Sequence, residues 1–299
     1  MTLTARAPGK VNLCLFLGPV RGDGRHELVT LFESVSVADE VSVAPLRRGS
    51  SDSDEVVCPG VEGPNLAERA LGALRERGWD AAPVRVVIRK ELPVAGGMGG
   101  GSADAAAVLR MAPRLAPVPA GVVEEVAASL GADVPSQLVP GVAIGTGAGD
   151  VVHAFAEAIA PHAFAVVPLG FELSTAEVYR EADRLGLPRD AGELASRHRE
   201  LQRALFRAGA GLPAELLVNE LEPAALSLAP EIGRALEAVR EAGAAHAMVS
   251  GSGPTVFGVW WGSEASGLAA EAAGSLADRY PGATGATAVS EEFGAPRGS

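Results

Sequence analysis

A glycine-rich segment carries the clearest chemical signal in the sequence. Residues 93–103 read Pro-Val-Ala-Gly-Gly-Met-Gly-Gly-Gly-Ser-Ala, with five glycines in eleven residues. Because glycine has no Cβ, backbone N–H groups can converge there on an anion, and a following helix adds its unpaired amides and the positive end of its dipole. The segment therefore predicts a phosphate site rather than a tight strand-to-helix connection without a ligand.

Two common phosphate-binding patterns do not fit this segment. G-x-G-x-x-G starting at Gly97 would need glycine at position 102, and G-x-x-x-x-G-K-[ST] starting at Gly96 would need lysine there. Position 102 is Ser102. Neither a dinucleotide site of an oxidoreductase nor a Walker loop is therefore predicted.

Three motifs in the right order resemble those of the GHMP kinases, a family that phosphorylates small hydroxyl compounds from ATP. Residues 93–106 resemble its central phosphate motif, residues 7–13 (Ala-Pro-Gly-Lys-Val-Asn-Leu) its N-terminal motif, and residues 249–257 its C-terminal motif. Shorter matches lie at residues 23–28, 65–66, 131–135 and 219–223. Within the family, this set most resembles the kinases of non-mevalonate isoprenoid biosynthesis, whose acceptor is a methylerythritol linked to cytidine diphosphate.

The resemblance implies two catalytic residues. Lys10 would lie near the acceptor hydroxyl and the transferring phosphoryl group, where a cation stabilises developing charge. Asp133 would be the base that accepts the hydroxyl proton, hydrogen-bonded to Lys10, whose ammonium favours the ionised carboxylate. On position alone, Lys10 is an outward-facing strand lysine and Asp133 a helix N-cap.

The resemblance also implies ATP and Mg²⁺ as cofactors, with no side chain assigned as a metal ligand. Asn65 would contact adenine, Lys90 would lie beside the nucleotide, and the Ser102 hydroxyl would reach a phosphate or the Mg²⁺. Asn65 and Ser102 could each be helix N-caps instead. The ATP-binding residues are Asn65, Lys90, Pro93, Val94, Ala95, Gly96, Gly97, Met98, Gly99, Gly100, Gly101, Ser102 and Ala103.

The acceptor would be held by Asn12, Arg25, His26, Thr175 and Tyr179. His26 would face the polar edge of the cytosine and Tyr179 would stack on it. Arg25 stands where the family usually has tyrosine, and its guanidinium can stack on a base or pair with a phosphate. This departure, with Ser136 in place of the usual phenylalanine, keeps open the alternative of a kinase acting on homoserine, mevalonate-type alcohols or sugars. A nucleotide-binding protein without catalysis is a second alternative, against which Lys10 and Asp133 argue.

Composition excludes several other classes of protein. The 299 residues include 25 Lys and Arg and 37 Asp and Glu, a net charge of −12, which argues against binding to nucleic acid or to an anionic membrane. Residues 1–26 have the opposite, positive net charge. They contain Arg6, Lys10, Arg21 and Arg25 but only one acidic residue, Asp23, a net of 4 − 1 = +3. We expect this region to attract anionic substrates.

The remaining expectations concern location and metal. Two cysteines are too few for a disulfide framework, five scattered histidines do not predict a zinc site, and no apolar stretch is long enough for a membrane span. The sequence therefore predicts a cytoplasmic protein with a small-molecule substrate, as a monomer or homodimer.

Periodicity predicts the elements that would position these residues. Strands are expected at 11–17, 83–89, 163–169, 247–249 and 256–261, with a strand pair over 31–43 interrupted at 38–39. Helices are expected at 65–77, 102–115, 121–130 and 230–242, a mostly helical region at 175–207, and a turn-rich stretch at 141–150. The resemblance implies a two-domain α+β fold with the site in the cleft: an N-terminal ATP-binding domain (1–155), a C-terminal domain (156–290) and a frayed tail (291–299).

Overall fold

The computed structural model describes residues 1–46, 53–61, 63–94, 96–155, 159–207 and 211–298. Its strands are β1 (Leu3–Val20), β2 (His26–Pro45), β3 (Glu55–Val57), β4 (Val84–Arg89), β5 (Val142–Thr146), β6 (Val151–Phe155), β7 (His162–Val167), β8 (His246–Val249), β9 (Val256–Trp261), β10 (Thr284–Thr287) and β11 (Arg297–Gly298). Its α-helices are α1 (Leu66–Glu76), α2 (Gly100–Leu115), α3 (Val122–Leu130), α4 (Asp133–Leu138), α5 (Thr175–Leu185), α6 (Ala191–Leu205), α7 (Glu222–Leu228), α8 (Glu231–Glu241) and α9 (Ala265–Leu276).

A long antiparallel hairpin, β1 and β2, forms the middle of the first sheet. The main strand order is β11-β1-β2-β4-β3, and β5 and β6 extend from β2. The predicted interruption of β2 at residues 38–39 is wrong, because β2 runs unbroken through them. The irregularity is instead in the pairing, where the register shifts between Pro8 and Lys10 and again between Asn12 and Cys14. Such shifts re-aim neighbouring side chains, and here they flank the predicted catalytic lysine.

Helices α1 to α4 cover one face of this sheet. Asn65 caps α1 as its Oδ1 accepts a hydrogen bond from the amide of Ala67 at 2.8 Å, and Gly78 follows the helix end with a φ of 88°. The Ala103–Ala107 stretch of α2 is buried, so its small side chains let α2 lie close to the sheet. The helices and sheet enclose a core that includes Leu74, Trp79 and Leu109.

A second sheet, in the order β10-β7-β9-β8, belongs to the C-terminal half. Helices α8 and α9 pack on one of its faces through Leu236, Val239 and Leu276. Its other face shares a core with β1 and β2, in which Phe16 and Leu31 join Phe164 and Phe257. Hydrophobic packing therefore joins the two halves directly.

Polar contacts reinforce the junction between the two halves. Nε2 of His162, at the start of β7, lies 2.8 Å from a carboxylate oxygen of Glu33 in β2, and both side chains are buried. The backbone of Leu15 in β1 bonds to Val218 and Glu220 of the C-terminal half. These contacts fix the relative position of the two sheets that flank the site.

Two further sequence predictions need correction. The turn-rich stretch at residues 141–150 contains strand β5, which pairs with β2 and β6. The tail predicted to fray is ordered through residue 298: a short 3₁₀ turn at 291–294 leads to β11, which pairs with β1. Arg110 of α2 donates a hydrogen bond from Nε to the carbonyl of Gly294 at 3.2 Å, so a partner distant in sequence holds this segment.

The mixed α+β architecture with two units agrees with the prediction, whereas the domain limits at 155 and 290 stay a prediction. In the described part of the chain, no helix is both long and apolar enough to cross a membrane.

Candidate active site

A cavity of about 770 Å³ opens between the two halves. Its walls come from β1, β2, the glycine segment and the start of α4 on one side, and from α5 and the 250–255 loop on the other. The structure brings ten of the predicted site residues to this cavity: Lys10, Asn12, Arg25, His26, Gly97, Gly99, Ser102, Asp133, Thr175 and Tyr179.

Lys10 is buried at the end of this cavity that adjoins the glycine segment. Its Nζ donates a hydrogen bond to Oδ1 of Asn12 at 2.7 Å, and Asn12 in turn donates to the hydroxyl of Thr30 at 2.7 Å. Thr30 donates to the carbonyl of Cys14 at 2.7 Å. This chain of hydrogen bonds fixes the orientation of the ammonium, and the Lys10 side chain as a whole is only 5% exposed.

Asp133 faces Lys10 across the cavity. Its Oδ2 lies 3.9 Å from Nζ of Lys10, an ion pair rather than the predicted hydrogen bond. Asn12 takes the hydrogen bond instead. The alternative assignment of Asp133 as an N-cap is wrong, because the N-cap of α4 is Ala132 and no side chain caps that helix. The Asp133 carboxylate is 40% exposed and free to bind a substrate group.

The glycine segment packs between β1 and the 250–255 loop. The amide of Lys10 bonds to the carbonyl of Met98 at 3.0 Å, and the hydroxyl of Ser250 bonds to the carbonyl of Gly97 at 3.0 Å. Gly97 has a φ of 76° and no room for a side chain, since a Cβ there would lie 2.4 Å from the carbonyl oxygen of Ser250 and 2.8 Å from that of Gly253. The glycine at this position is required by close backbone packing as well as by conformation.

Gly97→Ala is therefore expected to lower the free energy of unfolding by about 2 kcal/mol or more, because the backbone must shift and a left-handed conformation is strained for alanine. The Michaelis constant for ATP should rise as well, since the loop amides move. Gly72→Ala is the matched control: Gly72 lies on α1 with open space around it, and alanine there should stabilise by up to about 1 kcal/mol. Thermal unfolding of both variants would test this, and equal effects would contradict it.

Lys90 lies behind the glycine segment and outside the cavity. Its Nζ is 2.5 Å from Oδ2 of Asp39 and 2.8 Å from Oδ2 of Asp104, and a Cβ on Gly100 would lie 3.2 Å from it. Burial acting alone would lower the pKa of Lys90, but the two carboxylates together raise it. Burial raises the pKa of Asp104 to about 7. The cluster thus holds two buried carboxylates around one ammonium at the start of α2.

Asp104→Asn is expected to change how stability depends on pH. Because the pKa of Asp104 is raised from 3.8 to about 7 on folding, the folded protein keeps a proton that the unfolded chain has released, so this contribution is present below about pH 4 and lost as the pH rises through about 7. The wild-type free energy of unfolding should fall over that window more steeply than that of the variant. Denaturant unfolding at several pH values across this window would measure how steeply the free energy of unfolding depends on pH. The exposed Asp278→Asn serves as control. Equal pH dependence in wild-type protein and Asp104→Asn would contradict the expectation.

Several predicted ATP-binding residues do not line the cavity. Asn65 is engaged as the cap of α1. Ser102, in contrast, lines the cavity; it is the third residue of α2, whose N-cap is Gly99, so its alternative assignment as an N-cap is wrong. Ala95 lies outside the described residues. The others that support the segment without facing the cavity are Lys90, Pro93, Val94, Gly96, Met98, Gly100, Gly101 and Ala103.

The far end of the cavity is built from His26 and helix α5. Nε2 of His26 lies 2.8 Å from Oδ1 of Asp183, and its ring centroid is 5.2 Å from that of Tyr179. Burial raises the pKa of the Tyr179 hydroxyl. Sequence reasoning did not identify Asp183, since nothing in the helical pattern of α5 distinguishes it from its charged neighbours.

Arg25 lies at the cavity rim with its charge already paired. Its guanidinium is 2.9 Å from Asp23 and 3.2 Å from Asp150, and Arg21 is 2.7 Å from Glu27. Arg6 lies over the ring of Phe293. The expected net charge of +3 from residues 1–26 is therefore wrong as a description of this corner, because carboxylates outside that range, Glu27 and Asp150, neutralise two of its arginines.

The 250–255 loop completes the wall opposite the glycine segment. Asn219 is buried and donates to the carbonyls of Val249 and Gly251 at 2.8 and 2.7 Å. The hydroxyls of Thr175 and Ser252 lie 2.9 Å apart. Gly251 and Ser252 line the cavity, so the C-terminal motif lies at the site. Among the described residues, no three or more His, Cys, Asp or Glu side chains come together in a group able to hold a metal ion.

Family models identify the class of protein that has this fold and site. Residues 65–157 match the GHMP kinases N terminal domain and residues 191–278 match the GHMP kinases C terminal domain. The chain belongs to the GHMP kinase family and is a phosphotransferase.

Named relatives and solved structures indicate which kinase of this family the chain resembles. The 4-diphosphocytidyl-2-C-methyl-D-erythritol kinase of Corynebacterium efficiens is 42% identical over 272 residues, covering 86% of this chain and 84% of the relative. That of Streptomyces coelicolor is 43% identical over 265 residues, covering 85% and 86%. A crystal structure of 4-(cytidine 5'-diphospho)-2C-methyl-D-erythritol kinase matches with a TM-score of 0.74 at 32% identity, covering 96% of this chain and 99% of the other. Homoserine kinase from Cytophaga hutchinsonii shares the fold, with a TM-score of 0.66 at 17% identity over 99% and 96%.

Proposed function

We propose that this chain transfers the γ-phosphoryl group of ATP to the 2-hydroxyl of 4-diphosphocytidyl-2-C-methyl-D-erythritol, a step of non-mevalonate isoprenoid biosynthesis. The observation that carries the proposal is the pairing of Lys10 with Asp133 at 3.9 Å in one cavity with the glycine segment, in a chain 42% identical to a kinase of that name. The acceptor's cytidine would bind at the other end, against His26 and Tyr179.

Different groups of the site have different roles in the phosphoryl transfer. Asp133 aligns the acceptor hydroxyl and takes its proton as the new oxygen–phosphorus bond forms. The bond from the γ-phosphorus to the oxygen bridging it to the β-phosphate breaks, and ADP leaves. Lys10, held by Asn12, stabilises charge on the transferring group. Backbone amides of the glycine segment bind the phosphates of ATP.

Mg²⁺ fits the groups that line the cavity. This ion usually takes one or two protein carboxylates and completes its coordination with substrate phosphates and water. The hydroxyl of Ser102 faces this cavity and would hold the ion from the protein side, with the phosphates of ATP and water completing its coordination. When bound, Mg²⁺ supplies neutralisation of phosphate charge.

An acceptor panel tests the proposal. ADP formation should be fast with 4-diphosphocytidyl-2-C-methyl-D-erythritol and at least about a hundredfold slower with homoserine, mevalonate or a free sugar, because these lack the groups that would fill the far end of the cavity. Preference for any of these alcohols would overturn the acceptor assignment. ATP binding without turnover on the whole panel would favour a non-catalytic protein. We further propose that the enzyme acts in the cytoplasm as a monomer or homodimer.

A further inference from the structure

A buried histidine and a carboxylate from opposite sides of the cleft meet at the far end of the cavity. His26 begins β2 in the N-terminal half, whereas Asp183 lies in α5 of the C-terminal half. Nε2 of His26 is 2.8 Å from Oδ1 of Asp183, and the imidazole is only 5% exposed. Both residues line the cavity together with Tyr179, Leu15 and Leu28. The rings of His26 and Tyr179 beside the apolar side chains of Leu15 and Leu28 suit a flat heterocycle that presents a polar edge.

The contact with Asp183 decides which imidazole nitrogen carries the proton. An ionised carboxylate can only accept hydrogen bonds, so the neutral ring places its proton on Nε2 and leaves Nδ1 as a bare acceptor. Within the described part of the chain, Nδ1 of His26 neither forms a hydrogen bond nor is sealed in the protein interior. It is therefore available to accept an N–H group from a ligand.

An acceptor at this point distinguishes pyrimidines by the group at position 4. Cytosine carries an amino donor there, whereas uracil carries a carbonyl acceptor. We propose that Asp183 is a positioning residue that fixes the His26 tautomer, so that Nδ1 accepts a hydrogen bond from the cytosine amino group and rejects uracil. This rests on the proposed function, in that it takes the cytidine diphosphate part of the acceptor to occupy this end of the cavity.

Affinities for CDP and UDP, measured by calorimetry, test the role of Asp183. Wild-type protein should bind CDP at least about tenfold more tightly, because UDP would oppose two acceptors without a proton between them. In Asp183→Asn the new amide can donate as well as accept, and in Asp183→Ala the partner is gone, so both variants lose control of the tautomer. The ratio of CDP to UDP affinity should fall severalfold in each. Glu177→Gln, an exposed change on the same helix, should leave the ratio unchanged.

The protonation pattern of the His26 ring provides a second test, because it would not change if Asp183 had only a structural role. Nitrogen-15 NMR of the His26 ring in wild-type protein should show a protonated Nε2 and an unprotonated Nδ1, and this pattern should be lost in Asp183→Ala. A protonated Nδ1 in wild-type protein, or an undiminished CDP preference in both variants, would overturn the inference. An enzyme that phosphorylates the cytidine-linked acceptor without distinguishing CDP from UDP would overturn the inference alone. Absence of turnover with that acceptor would overturn the proposed function.

Discussion

Asp133→Asn is expected to reduce kcat by about 10²- to 10⁴-fold while the Michaelis constants for ATP and acceptor change little. The amide keeps the shape and the polar contact of the carboxylate but cannot take the hydroxyl proton. Lys10 remains held by Asn12 at 2.7 Å, so the rest of the site should be undisturbed. The loss should therefore be seen in the rate of the chemical step, and single-turnover measurements with the cytidine-linked acceptor would isolate it.

The fold should tolerate this substitution. The Asp133 side chain is 40% exposed and caps no helix end, so thermal unfolding should be unchanged within about 0.5 kcal/mol. Asp278→Asn, an exposed carboxylate remote from the cavity, provides the matched control and should keep wild-type kcat. Turnover of Asp133→Asn near the wild-type rate would remove Asp133 from the role of base.

Local patterns predict individual helices and strands of this fold better than they predict contacts between segments distant in sequence. The alternation in residues 83–89 and the helical spacing with an asparagine cap in 65–77 predict β4 and α1 closely. The break predicted at residues 38–39 is absent because Asp39 is stabilised inside the sheet: its Oδ1 accepts hydrogen bonds from the amides of Glu91 and Leu92. Those partners lie about fifty residues away, and no local pattern reveals them.

The site residues likewise fall into those that local sequence identifies and those that depend on distant contacts. Its motifs are contiguous in sequence, so the glycine segment, Lys10 and Asp133 could be found from their neighbours and from the resemblance. Asp183 could not, because its contact with His26 depends on α5 facing β2 across the cleft. Charge counting along the first 26 residues failed for a related reason, since Asp150 neutralises Arg25 from a turn far along the chain.

The buried position of Lys10 suggests how a strongly acidic chain would bind the anionic substrates of the proposed function. With Arg21 and Arg25 paired to carboxylates, the favourable field at the phosphates comes from short-range groups: one buried ammonium, the amides of the glycine segment and the start of α2. Low exposure of that ammonium reduces screening by solvent and salt. Lys10 should therefore stabilise the phosphates more than a single solvent-exposed charge would.

Lys10→Met is accordingly expected to reduce kcat by about 10²- to 10³-fold, because methionine keeps much of the length of the side chain but supplies neither charge nor hydrogen bond to the transferring group. Stability should change less than activity, since removing a buried charge recovers its desolvation cost while leaving Asn12 without its donor. Lys10→Arg should not restore the rate, because the planar guanidinium differs in shape and donor geometry from the ammonium that Asn12 holds.

A double-mutant cycle with Asn12→Ala separates a direct effect of Lys10 from a general disturbance of β1. Asn12 orients the ammonium through a 2.7 Å hydrogen bond, so Asn12→Ala alone should reduce kcat by a smaller factor of about tenfold. If Asn12 acts through Lys10, adding Asn12→Ala to Lys10→Met should cost almost nothing further, because the group it positions is already gone. Fully multiplicative losses in the double variant would show that the two side chains act independently, and would reject the assignment of Asn12 as the residue that positions Lys10.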